Sequence, residues 1–311
     1  MPVQRAIIEV RHGPMKGQKA AIAPGGRLRV GRVDRVDLAI PGDAQMSALH
    51  FEVRWDGAVL RLKDLGSARG TLVGGEPVAE AELENGAWIR AGGTDLMAYI
   101  EAATPPEDED EEEIDPDAPD ALFDAPFLRQ LAARAAEQRA YCRRVAKDRL
   151  RRAPGPLYAV LDAARSARIL VLLRESVAPY RSLYEGLEGE SLADVAPYLV
   201  RLTVNEVDGG DGGLLERLVD EGWGKRWGIF LSCPLPFREV RRHLRRFLMV
   251  EEDETGDRLY FRFYDPGVLR AFVPTCTPLQ KGDLFGEIRE MYMESEVLDV
   301  LRYARPGGKP C

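Results

Sequence analysis

The chain has 311 residues, enough for two domains, and its apolar content of 45% is ordinary for a globular protein. Its net charge of −8 is local: residues 1–101 carry 13 basic and 13 acidic side chains, residues 102–120 carry 10 acidic and no basic ones, and residues 121–311 carry 30 basic and 28 acidic. That balance excludes the broadly basic footprint of a nucleic-acid binder, and the lack of any run of about 18 apolar residues excludes a helical membrane span. The start, MPVQRAIIEV, has no signal-peptide core and predicts a cytoplasmic protein. Cys142, Cys233, Cys276 and Cys311 have neither close pairing nor metal-ligand spacing, so they read as reduced thiols, with no metal or other cofactor expected.

Residues 1–101 read as short strands. Arg5–Val10 is rich in β-branched side chains, and Leu28–Gly31 and Leu38–Ile40 follow it. Phe51–Trp55 and Val59–Leu65 alternate apolar and polar residues around Asp56-Gly57, a hairpin signal whose two turn positions call for positive φ. Trp88-Ile89 and Leu96–Ile100 add strands, with Asn85-Gly86 and Gly92-Gly93 as turns. The pattern predicts an all-β sandwich.

Residues 102–120 (AATPPEDEDEEEIDPDAPD) combine like charges with prolines and read as a disordered linker. Residues 121–156 form a basic helical segment: apolar residues recur on one face of 127–152, which carries nine Arg/Lys and two Asp/Glu before Pro154-Gly155-Pro156 ends it. From 157 to 311 strands and helices alternate, predicting an α/β domain with a mixed sheet. The strands are Leu157–Leu161, Tyr198–Val204, Gly228–Ser232 and Leu259–Tyr264, the last paired with 248–251 through Glu254–Asp257. The helices are Ala163–Leu173, Leu214–Glu221 and Phe237–Leu248, and Asp265-Pro266 opens a fourth with Asp as cap and Pro in the first turn.

One broken string in the first hundred residues carries chemistry: Gly31-Arg32, Ser47-Ala48-Leu49-His50 and Asp64-Leu65-Gly66-Ser67-Ala68-Arg69-Gly70-Thr71. Arg32 at a strand end supplies a guanidinium fork, and Ser47 supplies a hydroxyl and a backbone N–H. Gly70 admits close backbone approach and Thr71 pins the loop, while His50 before an apolar strand reads as a buried, hydrogen-bonded imidazole. These residues closely resemble the forkhead-associated (FHA) domain, with its Gly-Arg, Ser-x-x-His and Ser-x-Asn-Gly-Thr. The resemblance covers about residues 5–101 and implies an eleven-stranded sandwich whose loops bind phosphothreonine. It makes Arg32 and Ser47 the phosphate contacts and Gly31, His50, Gly70 and Thr71 the loop scaffold. Ala48 stands where the family has Arg, Asn or Lys, and Gly74-Gly75 replaces an Asn-Gly. Arg69 replaces the Asn that orients the peptide backbone. Counted among the phosphopeptide-binding residues, it either reaches the phosphate or blocks the pocket.

The C-terminal half offers no convergent catalytic set, and no catalytic residue is assigned. Gly209–Gly213 lacks the Lys-Ser/Thr of a phosphate loop, and His243, flanked by arginines, reads as a surface or packing residue. Arg238, Arg241, Arg242, Arg245 and Arg246 form a solvated face or a dock for an acidic protein. In the segment FRFYDPGVLR, Arg262 opposes Phe261 and Phe263 across a strand, with Asp265 as its expected ion-pair partner. This block, with LYAVLD at 157–162, WGIF at 227–230 and the basic helix, resembles the type VI secretion effector adaptors over residues 157–295. The resemblance implies a non-enzymatic adaptor and chaperone that binds a toxic effector and passes it to the spike protein. Arg262, Tyr264, Asp265, Pro266 and Arg270 match the family block and are assigned to fold or partner docking. The expected partners are therefore a secreted effector, the spike protein and a threonine-phosphorylated protein, with no nucleic acid. Two alternatives stand beside this: an α/β enzyme centred on Cys233 or Asp162 and regulated by the FHA domain, and a phospho-dependent regulator without cargo.

Overall fold

The computed structural model describes residues 4–106, 125–185, 191–203, 213–251 and 258–306. The acidic tract from Glu107 to Asp120, the turn at Glu254–Asp257, most of the glycine run at 209–213 and Cys311 lie outside the described residues. The chain divides into two compact units: residues 1–105 with 170–181 and 205–214, and residues 106–169 with 182–204 and 215–311.

The N-terminal part is a sandwich of eleven strands. In chain order they are β1 (Ala6–His12), β2 (Lys19–Ile22), β3 (Gly26–Gly31), β4 (Leu38–Ala39), β5 (Phe51–Trp55) and β6 (Leu60–Asp64), then β7 (Thr71–Val73), β8 (Glu76–Val78), β9 (Glu80–Leu83), β10 (Ala87–Ala91) and β11 (Thr94–Ile100). One sheet has the order β2-β1-β11-β10-β7-β8 and the other β4-β3-β5-β6-β9. Alternate residues of both point inward: Ile8, Val10, Val30, Phe51, Val53, Leu62, Ile89 and Leu96 are buried in one core. The hairpin at Asp56-Gly57 is longer than its dipeptide suggests. Trp55 pairs with Leu60, and of the two turn residues only Gly57 takes positive φ, because the Asp56 carboxylate accepts the N–H groups of Ala58 and Val59 at 2.8 and 2.7 Å.

The C-terminal half is α/β. It contains α1 (Ala125–Arg151), β12 (Leu157–Asp162), α2 (Ala167–Arg174), β13 (Tyr180–Ser182), β14 (Pro197–Leu202), α3 (Leu214–Gly222) and β15 (Gly228–Ser232). After these come α4 (Phe237–Arg245), β16 (Met249–Glu251), β17 (Arg258–Tyr260), α5 (Pro266–Thr275), α6 (Pro278–Phe285), β18 (Glu290–Glu294) and β19 (Val300–Ala304). The main sheet has the order β13-β14-β12-β15-β18-β19, and β16-β17 form a separate ribbon. Every residue of β12 is buried, as in a strand covered on both faces. The core joins Tyr158, Val160, Ile229 and Met291 of the sheet to Val240, Leu244, Leu269 and Phe285 of the helices. Gly228 is required by this packing, since a Cβ there would lie 2.0 Å from the Val160 carbonyl oxygen.

Two expected elements are shorter than their periodicity suggests. The basic helix stops at Arg245, and the turn after it delivers the Leu248 carbonyl to the Phe261 N–H. The strand expected to reach Tyr264 stops at Tyr260, because residues 261–265 turn to bring Asp265 in as the cap of α5. Residues 163–173 are likewise split into a 3-10 turn and α2, with Ser166 extended between them.

Candidate functional site

Strand β3 ends at Gly31, where a Cβ would stand 2.3 Å from the Ala48 carbonyl oxygen. Only glycine lets the 46–50 turn lie against this strand end. The close approach is used at once: Arg32 N–H donates to the Ser47 carbonyl at 3.0 Å, and Arg32 Nε donates to the Met46 carbonyl at 3.2 Å. The guanidinium is thereby held by one edge while the side chain stays exposed. The turn itself is anchored from below by Asp43, which accepts from Gln45 N–H (2.9 Å), Gly93 N–H (2.9 Å) and Thr94 Oγ1 (2.7 Å). Burial alone would raise the Asp43 carboxyl, but these donors outweigh it and hold the group low.

His50 is fully buried. Its Nδ1 accepts the Ser47 N–H at 3.1 Å, so the ring proton sits on Nε2 and donates to the Gly70 carbonyl at 3.1 Å. The imidazole therefore ties the serine turn to the second loop. Ser47 Oγ makes the other tie by accepting the Ala68 N–H at 2.9 Å. A hydroxyl used in this way as acceptor keeps its own proton for a ligand. Arg69 lies between these two tied residues, Ala68 and Gly70, and its side chain is exposed. The second loop is fixed by Asp64, which accepts from Gly66 and Ser67 N–H at 2.8 Å each and from Ser67 Oγ and Thr71 Oγ1 at 2.6 Å each. Burial would raise this carboxyl too, but the Ser67 and Thr71 hydroxyls hold it low. Gly70 takes φ +73°, which a side chain would strain.

Segments 15 and 21 residues away from Ser47 thus converge on it. The site brings together one half-buried serine and two exposed arginines, a donor set suited to a phosphate ester. Removing the hub should be felt: His50→Ala is expected to destabilise the N-terminal unit by about 2–4 kcal/mol, through a cavity and two orphaned backbone groups. Chemical denaturation would measure the loss, and a change under about 0.5 kcal/mol would contradict the hub role.

A groove of about 680 Å³ lies elsewhere, over the outer face of the second sheet, and shares no residue with this set. Its Arg54 and Arg61 are already paired, with Glu52 and with Asp56 and Glu82.

In the C-terminal half Asp265 caps α5, accepting from Gly267 and Val268 N–H at 2.8 and 3.2 Å, with Pro266 in the first turn. Its expected partner Arg262 instead pairs with Asp162, and Asp265 pairs with Arg165 and Arg226. The reason is the early end of β17: Arg262 leaves from a turn and not from a strand face. Arg270 donates to the Glu294 carbonyl at 2.7 Å, and Tyr264 joins a hydroxyl chain through Tyr260 to Tyr184 at 3.0 and 2.6 Å. Cys233 is buried and burial pushes its thiol up, away from a nucleophilic thiolate. His243 is a packing residue: Nε2 donates to the Leu284 carbonyl at 2.9 Å, and Nδ1 accepts from Arg246 at 2.8 Å. Of the other arginines of this basic stretch, Arg241 and Arg245 both reach Glu185 and Arg242 pairs with Glu239.

Residues 28–92 match the FHA domain model, and residues 157–283 match DUF4123, described as a domain of unknown function. The chain carries an FHA domain followed by a DUF4123 domain. DUF4123 is the family that includes the type VI effector adaptors. FHA domains are interaction modules. The FHA part is 40% identical over 71 residues to the FHA domain-containing protein FhaA of Mycobacterium tuberculosis, covering 23% of this chain and 13% of that relative. Among solved structures, one from a study of phosphothreonine-dependent FHA domain interactions is 30% identical, covering 33% of this chain and 99% of its own, with a TM-score of 0.29. A solution structure of an FHA domain of an Arabidopsis thaliana hypothetical protein is 26% identical, covering 34% and 92%, with a TM-score of 0.31.

Of the candidate residues, Gly31, Arg32, Ser47, His50, Arg69, Gly70 and Thr71 come together. Asp43 and Asp64, which hold the two loops, were not singled out by the sequence, although Asp64 opens the quoted string. Arg165 and Arg226 were missed as well. Among the described residues no helix is long and apolar enough to cross a membrane, and no cluster of His, Cys, Asp and Glu could hold a metal.

Proposed function

We propose that this protein is a cytoplasmic adaptor that grips two polypeptides and transforms neither. Its FHA site holds a phosphothreonine of one partner through Arg32, Ser47 and Arg69. Its DUF4123 half binds an effector and hands it to the spike protein of a type VI secretion system. The observation that carries the phosphate part is the convergence on Ser47, whose hydroxyl proton is left for a ligand beside an edge-anchored Arg32. The cargo part is supported by the DUF4123 match over residues 157–283. Carrying two such modules on one chain raises the local concentration of the second contact once the first is made.

The test uses the full chain and two fluorescein-labelled peptide pools, degenerate around a central phosphothreonine or a central threonine. The phosphorylated pool is expected to bind at least about tenfold more tightly, as a charge-assisted contact requires. Equal binding of both pools would remove the phosphate reading. Co-expression with a candidate toxin effector tests the cargo reading separately, the expected result being a stabilised toxin that copurifies.

A further inference from the structure

Five charged residues of the C-terminal unit stand in an alternating row: Arg262, Asp162, Arg165, Asp265, Arg226. Arg262 pairs with one Asp162 oxygen, which Arg165 Nε also approaches at 3.7 Å. Arg165 then reaches Asp265, and Arg226 Nε meets the other Asp265 oxygen at 3.2 Å. The two carboxylates are buried, at 1% exposure each. The three arginine side chains are 42%, 31% and 46% exposed. Every anion of the row therefore faces inward and every cation faces water, so the row presents only positive charge to a partner.

The chain accepts strain to build this arrangement. Arg226 has a φ of +56°, and its backbone N–H is held by Glu294 at 2.9 Å. Gly267 leaves room for the guanidinium opposite it, since a Cβ there would stand 2.5 Å from Arg226 Nη2 and push that group aside. Each guanidinium is fixed by one edge to a buried carboxylate, which leaves further N–H donors in a fixed fork. Two residues before Arg262, the ribbon of β16 and β17 exposes Met249, Leu259 and Tyr260. Cationic forks beside apolar ground are complementary to carboxylates interspersed with apolar side chains.

We infer that the Arg262–Arg165–Arg226 row docks an acidic, partly apolar segment of a partner polypeptide. This rests on reading the DUF4123 half as a protein-binding module, and it supplies the chemistry of what that half recognises. The occupant's acidic residues meet the guanidinium forks and its apolar residues cover the Met249–Tyr260 ribbon.

The probe is a fluorescein-labelled oligoglutamate peptide with a central pair of leucines, titrated against the full chain by anisotropy at low and moderate salt. Binding is expected. Arg262→Lys and Arg226→Lys, which keep a cation for each buried aspartate, should weaken it about fivefold or more at an unchanged thermal midpoint, because the fork is lost. Arg238→Gln, on the exposed face of α4, should leave it unchanged. No binding to the intact chain would overturn the inference. So would equal weakening by Arg238→Gln, or equal binding of a single-stranded oligonucleotide of the same charge. A chain that captures its toxin but not this peptide loses only the docking row. A chain that binds the peptide but neither phosphothreonine nor toxin keeps the row and loses the adaptor reading.

Discussion

Asp265→Ala is expected to destabilise the C-terminal unit by about 2–4 kcal/mol, the cost of a lost helix cap together with hydrogen bonds to charged, partly exposed partners. Two separate roles are lost together. The carboxylate satisfies two backbone N–H groups at the start of α5, and a lost cap alone costs about 1 kcal/mol. It also neutralises Arg165 and Arg226, which face each other across the gap once it is gone. For a unit of this size the thermal midpoint should fall by roughly 10 °C. Asp265→Asn keeps an acceptor for the helix and loses only the charge, so its loss should be smaller. A midpoint within about 2 °C of the parent for Asp265→Ala would sink this account.

The same residue sets a pH dependence with a definite sign. Burial alone would raise the Asp265 carboxyl, but hydrogen bonds from Arg226 and Arg165 outweigh it and hold it below the ordinary aspartate value. A group lowered in the folded state contributes stability that is full above its unfolded value and is lost as pH falls through the folded one. The gap between parent and Asp265→Ala should therefore be widest near neutrality and close in acid. Glu294 works the other way, because burial raises its carboxyl and its contribution fades as pH rises. The difference between parent and variant isolates Asp265, since Glu294 is common to both.

How much of this was readable depended on the range of the interactions. The sandwich was legible because its signals are local: period-two alternation in β5 and β6, and glycine turns at Asn85-Gly86 and Gly92-Gly93. The phosphate loops were legible because Gly31, Ser47 and His50 have fixed chemistry at fixed spacing. Strands β18 and β19 were not, since EMYME and VLRYA carry no clean alternation and are strands because β15 pairs with one and the other follows it. The charged row was half legible. Asp265-Pro266 announces a helix cap, but Arg165 and Arg226 lie about 100 and 39 residues from it and nothing local marks them. Arg226 sits in the left-handed region just as Gly224 does two residues earlier, but only the glycine signals it in the sequence.

Arg32→Ala should weaken phosphothreonine-peptide binding by about 30-fold or more, the usual cost of removing one partner from a hydrogen-bonded charge pair. The fold should survive, because Arg32 is exposed and its backbone contact to Ser47 does not need the side chain. Arg32→Lys should fall between, keeping charge but losing the fork that the Met46 carbonyl orients. Arg69→Asn decides how the altered second loop works. Its backbone is fixed on both sides, by Ala68 to Ser47 and by Gly70 to His50, so only the side chain changes. If Arg69 supplies a second cation, Arg69→Asn weakens binding and flattens its salt dependence, since fewer charges are screened. That is the expected result; tighter binding by Arg69→Asn would instead mean that the guanidinium obstructs the pocket. A site built on two guanidinia and one hydroxyl also favours the dianion, so affinity should drop as pH falls below about 6, where the phosphate takes up its second proton. A binding curve flat across that range, with Arg32→Ala indistinguishable from the parent, would mean that these loops are fixed so firmly for a purpose other than holding phosphate.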